Sequence, residues 1–194
     1  MCLLPAILLG FNFYAQRLGA NPLEVLTRET GVWTLRLLLI TLSLTPIKLV
    51  FKVNFVISYR RMFGLYAYFY GCLHLITYIW FDQFFDLNSM FADIFERPFI
   101  TVGCAAILLM TPLALTSFNW MIKKMGGKNW QRLHYLSYLI AILGCIHYLW
   151  LVKIDLFRPV IYSILLGILF GIRIAYKLLK KYRHSILKSR QDHV

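Results

Sequence analysis

Apolar runs of bilayer length recur along this chain, and that recurrence leaves few folds open. A hydrocarbon core of about 30 Å takes about 20 helical residues to cross. With no water in that core to satisfy backbone groups, only helices or closed barrels can span it. Such runs occupy Gly31–Val50, Met62–Phe81, Pro98–Trp120, Trp130–Val152 and Pro159–Tyr176, and a shorter one covers Met1 to Ala15. The short first run has neither the basic leader nor the small-residue cleavage site of a signal peptide, so it reads as a span shortened at its start. The expected fold is an all-α membrane protein, a six-helix transmembrane bundle over residues 1–176, followed by a basic tail over 177–194. The 60% hydrophobic and 15% charged residues agree, since soluble domains average about 45–50% and about 25%.

The net charge of +13 is distributed in a way that excludes nucleic acid as the expected partner. Basic residues stand at the ends of the apolar runs: Lys48, Lys52, Arg60 and Arg61 between spans two and three, and Lys123, Lys124, Lys128 and Arg132 around the Gly126-Gly127 turn. The tail adds Lys177, Lys180, Lys181, Arg183, Lys188 and Arg190. The loop between spans three and four carries Asp82, Asp86, Asp93 and Glu96 against Arg97 alone. The positive-inside rule then puts the basic loops and both termini in the cytoplasm, with the tail drawn to anionic lipid. Cys2, Cys72, Cys104 and Cys145 lie in apolar stretches without C-x-x-C spacing and read as small buried hydrophobes.

Two echoes, Gly71-Cys72-Leu73-His74 and Gly144-Cys145-Ile146-His147, set a histidine deep inside an apolar run with a glycine three positions earlier. Positions three apart share a helix face, so each glycine is expected to leave bare backbone beside its imidazole, room for a flat, bulky group. His74 lies 13 residues past Arg61 and His147 lies 15 past Arg132. Both spans run in the same direction, so the two heights differ by only about 3 Å. Two imidazoles at one level on neighbouring helices can hold one iron from opposite faces of a porphyrin, and haem between spans three and five is the expectation. The plain alternative is a pair of hydrogen-bonded packing histidines.

Three further groups enter as candidates. His134 lies 13 residues before His147, a rise of about 20 Å and a rotation of about 220°, so the two do not share a face. It is a candidate ligand for a second haem or an interfacial hydrogen-bonding residue. Arg60 and Arg61 stand at the matching height on span three and can hold haem propionates but not iron. Arg36, inside span two, is a candidate for propionates or a quinone headgroup, or a residue that snorkels to the interface. His184 and His193 belong to the polar tail and take no ligand role.

Arg60-Arg61-Met62-Phe63-Gly64-Leu65, followed by Leu73-His74 and Tyr78, resembles the third span of the MsrQ (YedZ) proteins. Trp130-Gln131-Arg132-Leu133-His134-Tyr135 and Ile146-His147-Tyr148-Leu149-Trp150-Leu151-Val152-Lys153 are similar to the fifth span of the same family. The likeness covers nearly the whole chain, including Thr45-Pro46 and Arg97-Pro98; the short first span departs from it.

The resemblance implies a ferric-reductase-like transmembrane domain carrying b-type haem in the bacterial inner membrane, with flavin mononucleotide (FMN) also associated. It implies an electron-transfer subunit that takes electrons from a cytoplasmic flavin reductase or the quinone pool. These go to a periplasmic molybdopterin methionine-sulfoxide reductase subunit, which itself does the sulfoxide chemistry and so repairs oxidised envelope proteins. His74 and His147 match the family's principal haem ligands, and His134 a histidine tied to a second haem. The sequence has no G-x-G-x-x-G strand-turn-helix unit for a nicotinamide cofactor, so electrons are expected from another molecule. Two rival functions share the six apolar runs: a small transporter or channel with proton-relay histidines, and a stand-alone haem metal-ion or oxygen reductase.

Overall fold

The computed structural model describes residues 1–191, apart from the side chains of 184 and 186–191. The side chains of His184, Lys188 and Arg190, and the whole of His193, lie outside that description. All regular structure among the described residues is helical: α1 (Leu4–Tyr14), α2 (Pro22–Phe51), α3 (Arg60–Thr77), α4 (Leu87–Glu96), α5 (Pro98–Leu115), α6 (Asn119–Met125), α7 (Gly127–His134), α8 (Leu136–Leu151) and α9 (Phe157–Gln191). A short 3₁₀ turn, Phe55–Tyr59, precedes α3, and a π-helical turn, Tyr78–Asp82, extends it.

Five stretches are long and apolar enough to cross a membrane: α2, α3 with its flanking turns, α5, α7 with α8, and α9. This is a multi-pass membrane protein. The expected first span is an 11-residue helix, about 16 Å long and so about half the hydrocarbon thickness. Tyr70, wholly buried, ties α1 to α3: its hydroxyl accepts from the Ala6 N–H at 3.0 Å and donates to the Cys2 carbonyl at 2.9 Å.

The second span begins earlier than its apolar run. Asn21 caps α2 by accepting from the Glu24 N–H at 3.3 Å, and Pro22 fills the first helical position. Thr27 and Arg28 thereby become helical. Further along, Pro46 has no N–H for the Leu42 carbonyl. Arg173 of α9 donates to that carbonyl and, through its other terminal nitrogen, to the Tyr138 hydroxyl.

Other boundaries also shift. The acidic loop contains α4, capped by Asp86, which accepts from the Asn88 N–H at 3.0 Å. Span four ends at Leu115 rather than Trp120, span five is divided at Tyr135, and α9 continues through residues 176 and 177 without a break.

α2 packs along α3, and α5 along α8; Leu35, Leu38 and Leu42 of α2 meet Ile140 and Ala141 of α8 in the core. Alternation of direction gathers the starts of α2, α5 and α9 with the ends of α3 and α8. That end carries the acidic residues, and there Arg158 approaches Glu29 at 4.0 Å. Lys48, Arg60, Arg61, Lys123 and Lys124 gather at the opposite, basic end.

Candidate functional site

His74 and His147, 73 positions apart in sequence, come together in the acidic half, with ring centroids 6.1 Å apart and planes at 77°. Each ring is fixed from a neighbouring helix. His74 Nδ1 lies 2.8 Å from the Thr27 carbonyl of α2, and His147 Nδ1 lies 2.6 Å from the Phe99 carbonyl of α5. A carbonyl only accepts, so both Nδ1 atoms carry the proton and both Nε2 atoms keep a free lone pair.

The carbonyls are accessible for a reason written four residues later in each helix. Helical side chains lean toward the N-terminus and cover the preceding turn. Gly31 follows Thr27 by four and Gly103 follows Phe99 by four, and neither covers anything. A Cβ on Gly31 would meet the His74 ring at 3.1 Å, and one on Gly103 would meet the His147 ring at 2.8 Å.

Both rings line one cavity of about 680 Å³, inside the range of about 300–1,000 Å³ typical of ligand pockets. Its floor is apolar, built from Leu38, Met110 and Ile140, and its mouth at the acidic end carries Arg28, Asp82, Gln83, Asp93 and Arg97. Among the described residues no three His, Cys, Asp or Glu side chains gather as a site for a bare ion.

Several sequence-singled residues lie elsewhere than expected. Gly71 and Gly144 line the cavity, but they do not make room for the imidazoles of their own helices. A Cβ there would meet Ile107 at 3.0 Å and Leu35 at 3.4 Å respectively. Three residues on a helix turn the chain by about 300°, which leaves each glycine beside its histidine but facing another neighbour. Arg36 points away toward α9, donating to the Tyr162 hydroxyl at 2.8 Å with its guanidinium 4.8 Å from the Trp33 ring centroid.

Arg60, Arg61 and His134 belong to the basic half. Arg61 donates to Asn119, and neither arginine lines the cavity. His134 stacks on Trp130 at 3.9 Å. Thr116 donates its hydroxyl to the Pro112 carbonyl at 2.6 Å, so its oxygen accepts from His134 Nε2–H at 3.2 Å.

Sequence reasoning missed Gly31, Gly103, Arg28 and Arg97. The signal for the glycines is a pair of spans that each carry one glycine, three residues past Arg28 in one and six past Arg97 in the other.

Residues 30–145 match the family model described as ferric reductase like transmembrane component. The chain is 49% identical over 179 residues to a protein of Azospira oryzae, covering 92% of this chain and 77% of that one. That relative is named protein-methionine-sulfoxide reductase heme-binding subunit MsrQ. The chain belongs to the MsrQ family. MsrQ proteins of Herminiimonas arsenicoxydans, 45% identical over 192 residues (98% of this chain, 88% of the relative), and Rhodospirillum rubrum, 49% over 173 (89% and 83%), carry the same name. The part of this chain that matches the family model contains His74 and both glycine cradles and ends at Cys145, two residues before His147.

Proposed function

We propose that this chain holds b-type haem between α3 and α8, with Nε2 of His74 and Nε2 of His147 on the iron. In this reading it moves electrons across the bacterial inner membrane to a periplasmic molybdopterin methionine-sulfoxide reductase subunit. The donor in the same reading is a cytoplasmic flavin reductase or the quinone pool, with FMN associated. The basic end and both termini face the cytoplasm, α1 forms part of a shortened sixth span, and 177–194 serves as the basic tail.

One observation carries the reading: two imidazoles with fixed tautomers and free Nε2 atoms on the wall of one apolar cavity. Metal–imidazole bonds of about 2.0 Å, with a ring radius added on each side, require centroids about 6 Å apart, and the rings stand at 6.1 Å. Two protein donors suit a tetrapyrrole, which brings four nitrogens of its own. When bound, haem supplies one-electron redox chemistry, tuned by its ligands and burial. The residues of the chain bind and orient: the Thr27 and Phe99 carbonyls hold the imidazoles and raise their basicity as ligands. The core around Leu35, Leu38 and Met110 keeps water out. The relatives' name, heme-binding subunit of a methionine-sulfoxide reductase, supports the same partner class.

A reduced-minus-oxidised visible spectrum of the purified protein, with a haem-to-protein ratio, tests the cofactor. A transporter or channel predicts no visible absorbance. The route is tested in vesicles of known orientation, with reductant at the basic face and the sulfoxide reductase subunit at the acidic face. Haem reduction followed by reoxidation through that subunit is expected; reoxidation only from the basic face overturns the orientation and the function together.

A further inference from the structure

The cavity is polar at one end only, and that asymmetry bears on how an amphipathic flat molecule would lie in it. Its floor, at Leu38, Met110 and Ile140, offers no charge. At the mouth two arginines flank the opening from separate helices. Arg28 follows Thr27 by one residue, within one turn of Gly31 and the His74 ring. No hydrogen bond or ion pair engages its guanidinium among the described residues. Arg97 caps the start of α5, two residues before Phe99. Its Nε pairs with Asp93 at 3.2 Å, and its two terminal nitrogens have no protein partner among the described residues.

The anions at the mouth are Asp82 and Asp93. Asp93 is buried and already compensated: besides Arg97 it accepts from Gln83 Nε2 at 2.6 Å and from the Tyr78 hydroxyl at 3.3 Å. Asp82 is exposed, where water and salt screen it. Gln83 Oε1 is buried at this mouth without a partner among the described residues; as an acceptor it calls for a donor such as water or an arginine N–H, and it gives a carboxylate nothing to bind.

We infer that the tetrapyrrole lies with its two carboxylates toward the acidic-end mouth, held by Arg28 and Arg97, and its apolar edge on the Leu38–Met110–Ile140 floor. This rests on the haem reading above and assigns the carboxylate contacts to residues other than Arg36, Arg60 and Arg61. Arginine suits the task because its planar fork pairs with a carboxylate through two N–H groups, and the alternative orientation buries two carboxylates on a floor without a donor.

The test uses the full chain in detergent or nanodiscs, stripped of haem and titrated with iron protoporphyrin IX or its dimethyl ester, which has the same ring and no carboxylate charge. Arg28→Gln and Arg97→Gln are each expected to weaken uptake of the free acid by about tenfold and leave uptake of the diester unchanged. Arg28→Lys restores part of the loss, and both Gln variants lower the midpoint potential by removing a nearby cation. Asp93→Asn controls for the ion pair: if it reproduces the Arg97→Gln loss, Arg97 acts through Asp93 and its share of the inference falls. Equal binding of both porphyrins by wild type and both Gln variants overturns the orientation while leaving the haem reading intact. Retention of haem by the His74→Ala, His147→Ala double variant overturns both.

Discussion

Histidines occupy both halves of this membrane bundle, and their surroundings differ in what is left free. In the acidic half, His74 and His147 each give the Nδ1 proton to a backbone carbonyl and keep Nε2 unused beside a cavity. In the basic half, His134 donates from Nε2 to Thr116 and lies against the Trp130 ring. The same side chain leaves a nitrogen unengaged at a cavity in one half and has its Nε2 engaged by a hydroxyl in the other. What separates them is a glycine on the facing helix, not the polarity of the histidine's own neighbours.

The most direct way to break this contrast is to remove each imidazole in turn. His74→Ala and His147→Ala should each abolish or severely reduce haem in the purified protein, while His134→Ala should retain the low-spin spectrum of the acidic-half centre. Loss of all haem in His134→Ala, or an unchanged spectrum in the other two, reverses the contrast.

Next in size comes the glycine cradle. Gly103→Ala places a methyl 2.8 Å from the His147 ring and Gly31→Ala one 3.1 Å from His74. Haem retention should fall by about ten- to a hundredfold, more for Gly103, as when outer contacts of a metal ligand are lost. Equal retention in Gly103→Ala and wild type, measured by haem-transfer rate, would break the assignment of the cradle.

Arg173→Gln should act on stability alone. With the reach to the Leu42 carbonyl shortened, a buried acceptor is left unpaired, at about 1–3 kcal/mol. Thermal unfolding in detergent should fall while the haem spectrum stays unchanged. The smallest effect is expected where a side chain changes and its carbonyl stays. Thr27→Ala and Phe99→Leu keep the carbonyls that hold the rings, so ligand-field bands and haem retention should match wild type. A loss in either would mean that side chains, not backbone, orient the imidazoles.

Hydrophobic run length made the spanning helices legible, and equal distance from basic residues made the meeting of His74 and His147 legible. The partners of those rings were not, because Thr27–His74 and Phe99–His147 are contacts between distant segments that no local period encodes. Arg28 shows the limit well. It reads as a loop charge until Asn21 and Pro22 are recognised as the start of α2, after which it lies about 60° from Gly31 around the helix, whereas Arg36 lies about 140° away. The ten-residue α4 was hidden in an acidic segment too short for a clear helical period.

The carbonyl–glycine pairs have one more consequence. Gly31 and Gly103 are 72 positions apart, and His74 and His147 are 73 apart. The α2–α3 and α5–α8 pairs each contribute a carbonyl, a glycine and an imidazole in the same order along the chain. The two imidazoles therefore meet like surroundings, each held by a carbonyl four residues before a glycine on the facing helix. The likeness ends at the rim of the cavity. There one arginine follows its carbonyl residue by a single position and the other precedes its own by two.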